Sequence, residues 1–339
     1  MNRSITPHRR LTPGSIDRPP RRGWRAAALA AVCLLVWSST PAGAKVRIVA
    51  TTPTIADLAR QVGGDLVRID TLMRGNENPH NVVPKPSFIM KLRKADLFLT
   101  GGLDGEPWVP TLIRGARKTS LRPGGSAYVD LSVGIALKEV PAPGQLSRAN
   151  GDIHIFGNTH YLLDPLNGAI AARTIADALA RVDPAHADRY RASADALEAR
   201  LRDLTEDLTS QMAPYAGAPV VVYHRAWPYF LDRFGLVKAG EIEPKPGIPP
   251  GPRHLSDLAQ TMRAAGARVV IVEPYNSLAN ARSVAQRAGA VAVVLATNVG
   301  GVDGADTYED LFRVNIARLR EALEGASAAA AKPARGARP

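Results

Sequence analysis

The sequence predicts an α/β protein of two lobes, each built on a mainly parallel sheet, with a long linking helix between them. Short runs rich in Val and Ile alternate with amphipathic stretches of helical length in both halves of the chain. Such alternation is typical of β-α-β units. Between the halves, apolar residues recur at helical spacing over a long stretch whose other face is charged. The 339 residues are enough for two domains with a core each.

Residues 1–44 precede the predicted fold and have the features of a secretory signal peptide. Three arginines lead into an apolar run at 26–37 that is too short to cross a bilayer, and the small residues at 42–44 fit a cleavage site before Lys45. We therefore expect a periplasmic protein that is exported through a cleaved signal peptide. An uncleaved membrane anchor is the alternative, and the sequence leaves open whether export uses the general or the twin-arginine route.

Charge and cysteine content exclude some classes of site. The net charge is +12, but residues 1–44 hold seven arginines and one aspartate, which account for half of it. The remaining basic residues are scattered among acidic ones, a pattern that argues against nucleic-acid binding. The single cysteine, Cys33, lies in the apolar run of the signal peptide, so after cleavage the chain can form neither a disulfide nor a thiolate metal site.

The N-terminal lobe is assigned to residues 45–165 and begins with a strand rich in Val and Ile. Gly63 ends the first predicted helix, and prolines precede the second. The predicted strands are residues 46–52, 66–73 and 96–102, and the predicted helices are residues 55–63 and 87–95. Residues 118–158 are rich in Pro and Gly, and we assign no element there.

The linking region is assigned to residues 166–213 and reads as helix throughout, with one break. The first helical stretch ends at Asp183-Pro184, and a second, highly charged stretch continues to Met212. Proline ends a helix at the residue before it.

The C-terminal lobe is assigned to residues 214–325 and returns to the alternating pattern. The predicted strands are residues 219–224, 236–242, 267–274 and 290–296, and the predicted helices are residues 225–235, 254–266, 279–289 and 307–323. The low-complexity residues 326–339 are expected to form a disordered tail.

Three histidines occupy the places where such a fold would bind a ligand. His80 lies in a proline-stiffened loop, His160 precedes the linking helices, and His224 ends a buried type of strand. Ligands in α/β folds bind at the carboxyl ends of strands and between domains. The histidines are too far apart in sequence for a zinc finger and suit a site assembled from loops of two lobes, although spacing alone does not distinguish ligands from structural histidines.

Five motifs resemble the periplasmic metal-binding proteins of zinc and manganese ABC importers, the cluster A-I solute-binding proteins. NPHNVVPKPSF resembles their first ligand motif, GNTHYLLDP their second (Asn-Pro-His-x-x-x-Asp-Pro) and YHRAWPYF their third, while EPKPGIPPGPRHL and VVIVEPYNS resemble further stretches. The resemblance implies two lobes bridged by a long rigid helix, with a metal at the lobe interface. It also implies that His80, His160 and His224 are ligands.

The fourth ligand departs from the family pattern. Many members place an aspartate at the end of the last strand, where this chain has Ala296. We take Glu273, at the end of the neighbouring strand, as the candidate. The alternatives are a water molecule, Asp303 or Asp306, and more weakly Glu243 or His154.

Three imidazoles with a carboxylate or water favour Zn²⁺ in a tetrahedral site. Mn²⁺ prefers more oxygen ligands, and Cu²⁺ also accepts imidazole. The resemblance implies that the protein is not an enzyme but captures Zn²⁺ and delivers it to an inner-membrane ABC permease, and we expect a monomer. The alternatives are a zinc hydrolase with an open catalytic position, or a metallochaperone or adhesin on the same scaffold.

Overall fold

Strands and helices alternate along residues 45–142, 155–245 and 247–331, which are the residues that the computed structural model describes. The strands are β1 (Val46–Ala50), β2 (Val67–Thr71), β3 (Leu97–Thr100), β4 (Tyr128–Asp130), β5 (Pro219–Val222), β6 (Val237–Glu241), β7 (Val269–Val272) and β8 (Val291–Val294). The α-helices are α1 (Pro53–Gly63), α2 (Pro86–Lys94), α3 (Val109–Ala116), α4 (Pro165–Val182), α5 (Ala187–Met212), α6 (Pro228–Arg233), α7 (Pro252–Ala265), α8 (Leu278–Ala288) and α9 (Tyr308–Ala331).

The strands form two four-stranded sheets, ordered β2-β1-β3-β4 and β6-β5-β7-β8, and every pairing is parallel. This confirms the predicted class of two parallel α/β lobes. The central strands β3 and β7 are buried along their whole length, as expected when helices cover both faces of a sheet. In each sheet, the second and third strands along the chain lie on opposite sides of the first strand. The strand order therefore reverses beside the first strand, and α/β folds bind ligands in the crevice at such a reversal.

Two helices link the sheets, and they pack against each other. The predicted break lies where the sequence placed it, because α4 ends at Val182 and Pro184 opens a short 3-10 turn. Asp183 fixes this turn by accepting hydrogen bonds from Tyr190 Oη and His186 Nδ1, both at 2.7 Å. The second helix, α5, has 26 residues, which corresponds to a length of about 39 Å.

The last helix joins the two halves of the chain through a set of polar groups. Asp57 of α1 is 4% exposed and accepts from the backbone N–H of Tyr308 at 2.9 Å and from Gln61 Nε2 at 2.9 Å. Gln61 Nε2 also donates to Glu309 at 2.7 Å. Arg200 of α5 donates to Gln61 at 2.6 Å and to Glu309 at 3.3 Å. We call these five residues the inter-lobe polar network.

Among the described residues, the structure contains one α-helix and one strand that the sequence does not predict. These are α3 and the three-residue strand β4 at the edge of the first sheet. In addition, α9 continues to Ala331, which corrects the predicted end of the closing helix at residue 323 and places the first part of the predicted tail in a helix. Alanine has the highest helix propensity, so an alanine-rich sequence can extend a helix that packing has already begun.

Some predictions concern residues outside the described ranges or boundaries that the fold alone does not test. The signal peptide at 1–44, His154 and the end of the tail at 332–339 lie outside the described residues. The lobe boundaries at 165, 213 and 325 stay predictions. Within the described residues, we find no helix with the length and apolar character needed to cross a membrane.

Candidate metal centre

His80 lies in the loop after β2 and is held by its neighbours in sequence. Pro79 begins a short 3-10 turn over Pro79–Asn81, and Asn78 Oδ1 accepts the backbone N–H of His80 at 2.9 Å. Trp108 Nε1 donates to the carbonyl of Pro79 at 2.8 Å. The loop is therefore fixed by a side-chain cap on one side and by a tryptophan on the other, in addition to its prolines.

His160, in the loop before α4, is held by the same kind of asparagine contact. Asn158 Oδ1 accepts the backbone N–H of His160 at 3.0 Å. Asn158 is only 6% exposed, and its Nδ2 donates to the carbonyl of Arg225 at 2.8 Å and to Glu139 at 2.9 Å. Because Arg225 lies beyond the linking helices, this one asparagine connects the loop of His160 to the second half of the chain.

His224 comes from the carboxyl end of β5, as the sequence predicted. Its neighbour Tyr223 continues the ladder beyond the strand by donating its N–H to the carbonyl of Ile271 at 2.8 Å. His224 itself is 7% exposed, whereas His80 and His160 are half-buried. The histidine is thus fixed by the central part of the second sheet.

The structure brings the three histidines together. One ring nitrogen from each lies within 4.8 Å of one from each of the others. The ring centroids are 5.2 Å apart for His80 and His160, 5.6 Å for His80 and His224, and 5.4 Å for His160 and His224. The Nε2 atoms of His80 and His160 are 3.3 Å apart. Two nitrogens bound to one tetrahedral Zn²⁺ at about 2.05 Å would be about 3.3 Å apart, so this pair already has the spacing of zinc ligands.

Each histidine is hydrogen-bonded through Nδ1 to an oxygen. The partner of His80 is the carbonyl of Gly105 at 2.8 Å, and that of His160 is Asn158 Oδ1 at 3.2 Å. The partner of His224 is Glu243 Oε2 at 2.7 Å. A carbonyl, an amide oxygen and a carboxylate accept hydrogen bonds, so these contacts favour the proton on Nδ1 and leave Nε2 to bind a metal. Metal-binding histidines in proteins are oriented in this way.

The electrostatics around His224 favour a cation. Burial lowers the pKa of this imidazole, but the hydrogen bond to Glu243 and the charges of Glu273 and Glu243 oppose it, and the net pKa is raised above its ordinary value. The surroundings of His224 are therefore negative, and a bound metal ion would benefit from the same charges.

Glu273 follows β7 and is fully buried. Trp227 Nε1 donates to its Oε1 at 2.5 Å, and Asn276 Nδ2 donates to its Oε2 at 2.8 Å. Burial raises the pKa of Glu273, and the charge of His224 together with these hydrogen bonds lowers it in part. Glu273 does not belong to the cluster of three histidines, so its assignment as the fourth ligand stays a prediction.

The other candidate ligands lie elsewhere. Asp303 and Asp306 are exposed and do not belong to the cluster. Asn315 binds both the N–H and the carbonyl of Ala296 at 2.8 Å, so the position where the family has an aspartate is fixed by a buried backbone contact. Glu243 contacts Nδ1 of His224. The imidazole ring therefore separates the carboxylate of Glu243 from Nε2, the nitrogen that would bind the metal.

A small cavity of about 60 Å³ adjoins His80 and His160. Its lining includes Glu106 from the first half of the chain and Thr297 and Asn298 from the second. Burial raises the pKa of Glu106 to about 7. Since residues of both halves line this cavity, the histidines lie where the two lobes meet.

Sequence reasoning missed the residues that hold the histidines. A signal for two of them was present, because Asn78-Pro-His80 and Asn158-Thr-His160 repeat the same spacing, and an asparagine side chain often accepts a backbone N–H two residues later. The carbonyl of Gly105 has no such signal, since any residue could supply it.

Comparison with known proteins agrees with a metal-binding site. The family model described as zinc-uptake complex component A, periplasmic (ZnuA) matches residues 48–322. The high-affinity zinc uptake system protein ZnuA of Brucella abortus is 33% identical over 165 residues, which are 48% of this chain and 49% of that protein. The chain thus spans about half the length of this relative.

Two further matches cover more of the chain. The manganese ABC transporter substrate-binding lipoprotein PsaA of Streptococcus pneumoniae is 24% identical, over 87% of this chain and 96% of its own. A crystal structure of ZnuA has a TM-score of 0.69 and 26% identity, and it covers 82% of this chain and 99% of its own. The similar proteins therefore include one named for zinc and one named for manganese.

Proposed function

The chain belongs to the family of periplasmic component A proteins of zinc-uptake complexes, and from this membership we propose that it binds Zn²⁺ outside the cytoplasm and delivers the ion to an ABC permease. The ion is cargo and no reaction is catalysed. Export through the signal peptide at 1–44 and action as a monomer are parts of the same proposal.

One observation supports this function best. Three imidazoles from separate loops converge within 4.8 Å, and each is oriented by an oxygen on its Nδ1. Histidine rings that only pack in a core do not need their Nε2 atoms directed at one another. A divalent cation explains this arrangement, because it can bind the three lone pairs at once.

The choice of Zn²⁺ follows from the ligand chemistry. Three nitrogen ligands suit Zn²⁺, whereas Mn²⁺ prefers a site richer in oxygen. Cu²⁺ also accepts imidazole and lies higher in the order of affinities, so copper must be included as a competitor in any test. The spacing of 3.3 Å between the Nε2 atoms of His80 and His160 adds a geometric argument for a tetrahedral ion.

We also propose Glu273 as the fourth ligand. It is the buried carboxylate that follows the strand next to that of His224, and its negative charge acts on the imidazole of His224. The substitution Glu273→Gln preserves the size of the side chain and one of its two acceptor oxygens while removing the charge. If Glu273 binds the metal, zinc affinity falls in this variant, and unchanged affinity would assign the fourth position to water or another group.

The test of the function is a metal titration of the purified protein. Zinc is added to metal-free protein in competition with a chelator, bound metal is measured by elemental analysis, and the titration is repeated with manganese and copper present. We expect one tightly bound zinc per chain that manganese does not displace. A folded protein that binds no metal tightly would refute the function, and preference for manganese would refute the choice of ion.

A further inference from the structure

We propose that Glu243 is a positioning residue for the metal centre, which holds the imidazole of His224 so that Nε2 faces His80 and His160. The inference rests on the proposed function, since it gives a role to a residue outside the set of ligands. From the sequence alone, Glu243 is only a weak candidate ligand.

The contact between Glu243 and His224 is short and sheltered. Glu243 Oε2 and His224 Nδ1 are 2.7 Å apart, and the two side chains are 13% and 9% exposed. A carboxylate accepts but does not donate, so this contact fixes the proton on Nδ1. With Nδ1 protonated, Nε2 is the nitrogen that can bind a metal.

The Nδ1 contact of His224 is made with a charged group. His80 and His160 are oriented by a backbone carbonyl and an amide oxygen, which are neutral. Hydrogen bonds to a charged acceptor are shorter and stronger than neutral ones. A carboxylate on Nδ1 also makes the opposite nitrogen a stronger ligand. Glu243 therefore both fixes the ring of His224 and strengthens its Nε2 as a metal ligand.

The position of Glu243 is itself set by the second sheet. Strands β5 and β6 pair in parallel, with Val222 beside Glu241. The pairing continues past the strand ends, because Glu243 donates its N–H to the carbonyl of Tyr223 at 3.0 Å. Gly247 N–H then donates to Glu243 Oε2 at 3.2 Å. The backbone thus brings the carboxylate beside His224, and the following loop holds it there.

The neighbouring carboxylate of Glu241 is already engaged. Its Oε1 accepts from Arg225 Nε at 3.1 Å and pairs with the ammonium group of Lys238. Two cations therefore hold this carboxylate, whereas Glu243 is in contact with Nδ1 of His224.

The test compares three variants of the full chain. Glu243→Ala removes the acceptor, and Glu243→Gln keeps an acceptor without the charge. Glu198→Gln is the matched control, because Glu198 has a similar side-chain exposure of 15% but pairs with Arg173 and Arg202 on the linking helices. Zinc affinity is measured by chelator competition, and the tautomer of His224 is measured in the metal-free proteins by ¹⁵N NMR of the ring nitrogens.

We expect Glu243→Ala to lose about 10- to 100-fold in zinc affinity and to shift the His224 proton from Nδ1 toward Nε2. Glu243→Gln should retain the Nδ1 proton and lose less affinity, while Glu198→Gln should match the parent in both measurements. An unchanged tautomer in Glu243→Ala would overturn the proposal. Equal losses in both Glu243 variants would also overturn it, because they would assign the effect to charge alone. The tautomer is read without metal, so a parent protein that binds no zinc would refute the function separately.

Discussion

At the scale of single residues, two asparagines place two of the candidate ligands by the same contact. Asn78 and Asn158 each accept the backbone N–H of the histidine two residues later. Asn158 does more, because its Oδ1 also meets His160 Nδ1 and its Nδ2 reaches the carbonyl of Arg225. Substitutions of the two asparagines therefore allow the effect of the backbone cap to be compared with that of the contact with Nδ1.

We predict that Asn158→Ala weakens zinc binding by about 10-fold or more, since loss of a partner that orients a ligand typically costs 10- to 100-fold. Asn78→Ala removes only a backbone cap and should have a smaller effect, because His80 keeps its Nδ1 partner at Gly105. Chelator competition on both variants provides the measurement. Equal effects would show that the cap, and not the contact with Nδ1, controls the affinity.

We predict that replacing any one of the three histidines by alanine lowers zinc affinity by about 100-fold or more, a larger loss than removal of an outer partner. His186→Ala is the control, because His186 contacts Asp183 in the turn before α5 and does not belong to the cluster. Titration calorimetry gives the affinities, and circular dichroism checks the fold. A His224→Ala protein that binds zinc like the parent would contradict the site.

We predict that zinc affinity falls with decreasing pH. A metal needs the lone pair of a neutral imidazole, so protons compete with it below the imidazole pKa. Because the pKa of His224 is raised in the folded protein, the decline should begin above the ordinary histidine pKa of about 6.5. Affinity is retained above the raised pKa and lost as the pH drops through it. The dissociation constant measured from pH 5.5 to 8.5 tests this, and a constant value would count against imidazole ligands.

At the scale of secondary-structure elements, Asp164 connects two helices. Its Oδ1 accepts from the N–H of Leu166 at the start of α4, which is the position where aspartate caps a helix. Both of its oxygens also accept from Arg233 of α6, at 2.9 and 2.8 Å. The first linking helix and a helix of the second sheet thus share one carboxylate.

We predict that Asp164→Ala lowers the free energy of unfolding by about 2 kcal/mol, of which the helix cap contributes about 1 kcal/mol and the partly exposed ion pair the rest. Asp164→Asn keeps a good cap and should cost about half as much. Urea denaturation of both variants separates the two contributions. If the two variants were equally unstable, the ion pair alone would explain the loss.

Elements with a strong local pattern were predictable, and elements that depend on their neighbours were not. The buried strands β1, β5 and β7 consist mainly of Val and Ile, and the break at Pro184 follows from its missing N–H. Strand β4 has only three residues and, among the described strands, pairs with β3 alone, so its own sequence gives almost no periodic signal. The histidines could be proposed from strand-end and loop positions, whereas the contact of Gly105 with His80 depends on the folded chain.

At the scale of the whole molecule, the two halves of the chain meet in close contacts that leave no room for a side chain. A Cβ atom on Gly168 of α4 would lie 2.1 Å from Tyr308 Cε1 of α9. Tyr308 is fully buried, and its hydroxyl donates to the carbonyls of Leu162 and Asp164. The ring of Tyr308 is therefore fixed and cannot move away from an added Cβ atom.

We predict that Gly168→Ala destabilises the protein by about 1–3 kcal/mol, the usual cost of overfilling a packed contact. Gly325→Ala in α9 is the control, because a Cβ there meets nothing within 4 Å and should stabilise the helix by about 0.5–1 kcal/mol. Thermal and urea unfolding measure both. A Gly168→Ala protein as stable as the parent would show that the two halves can move apart without cost.

The inter-lobe polar network has a consequence for the order in which the parts of the chain can fold. Asp57 lies in the first helix, yet one of its hydrogen-bond donors is the N–H of Tyr308, 251 positions later. Gln61, one turn along the same helix, likewise binds Glu309. Arg60 and Gln61 of the same helix also bind the carboxylate of Asp57, but its contact with Tyr308 forms only when the last helix is in place. Contacts between such distant residues form slowly, so the packing of the N-terminal lobe is completed only when the last helix docks.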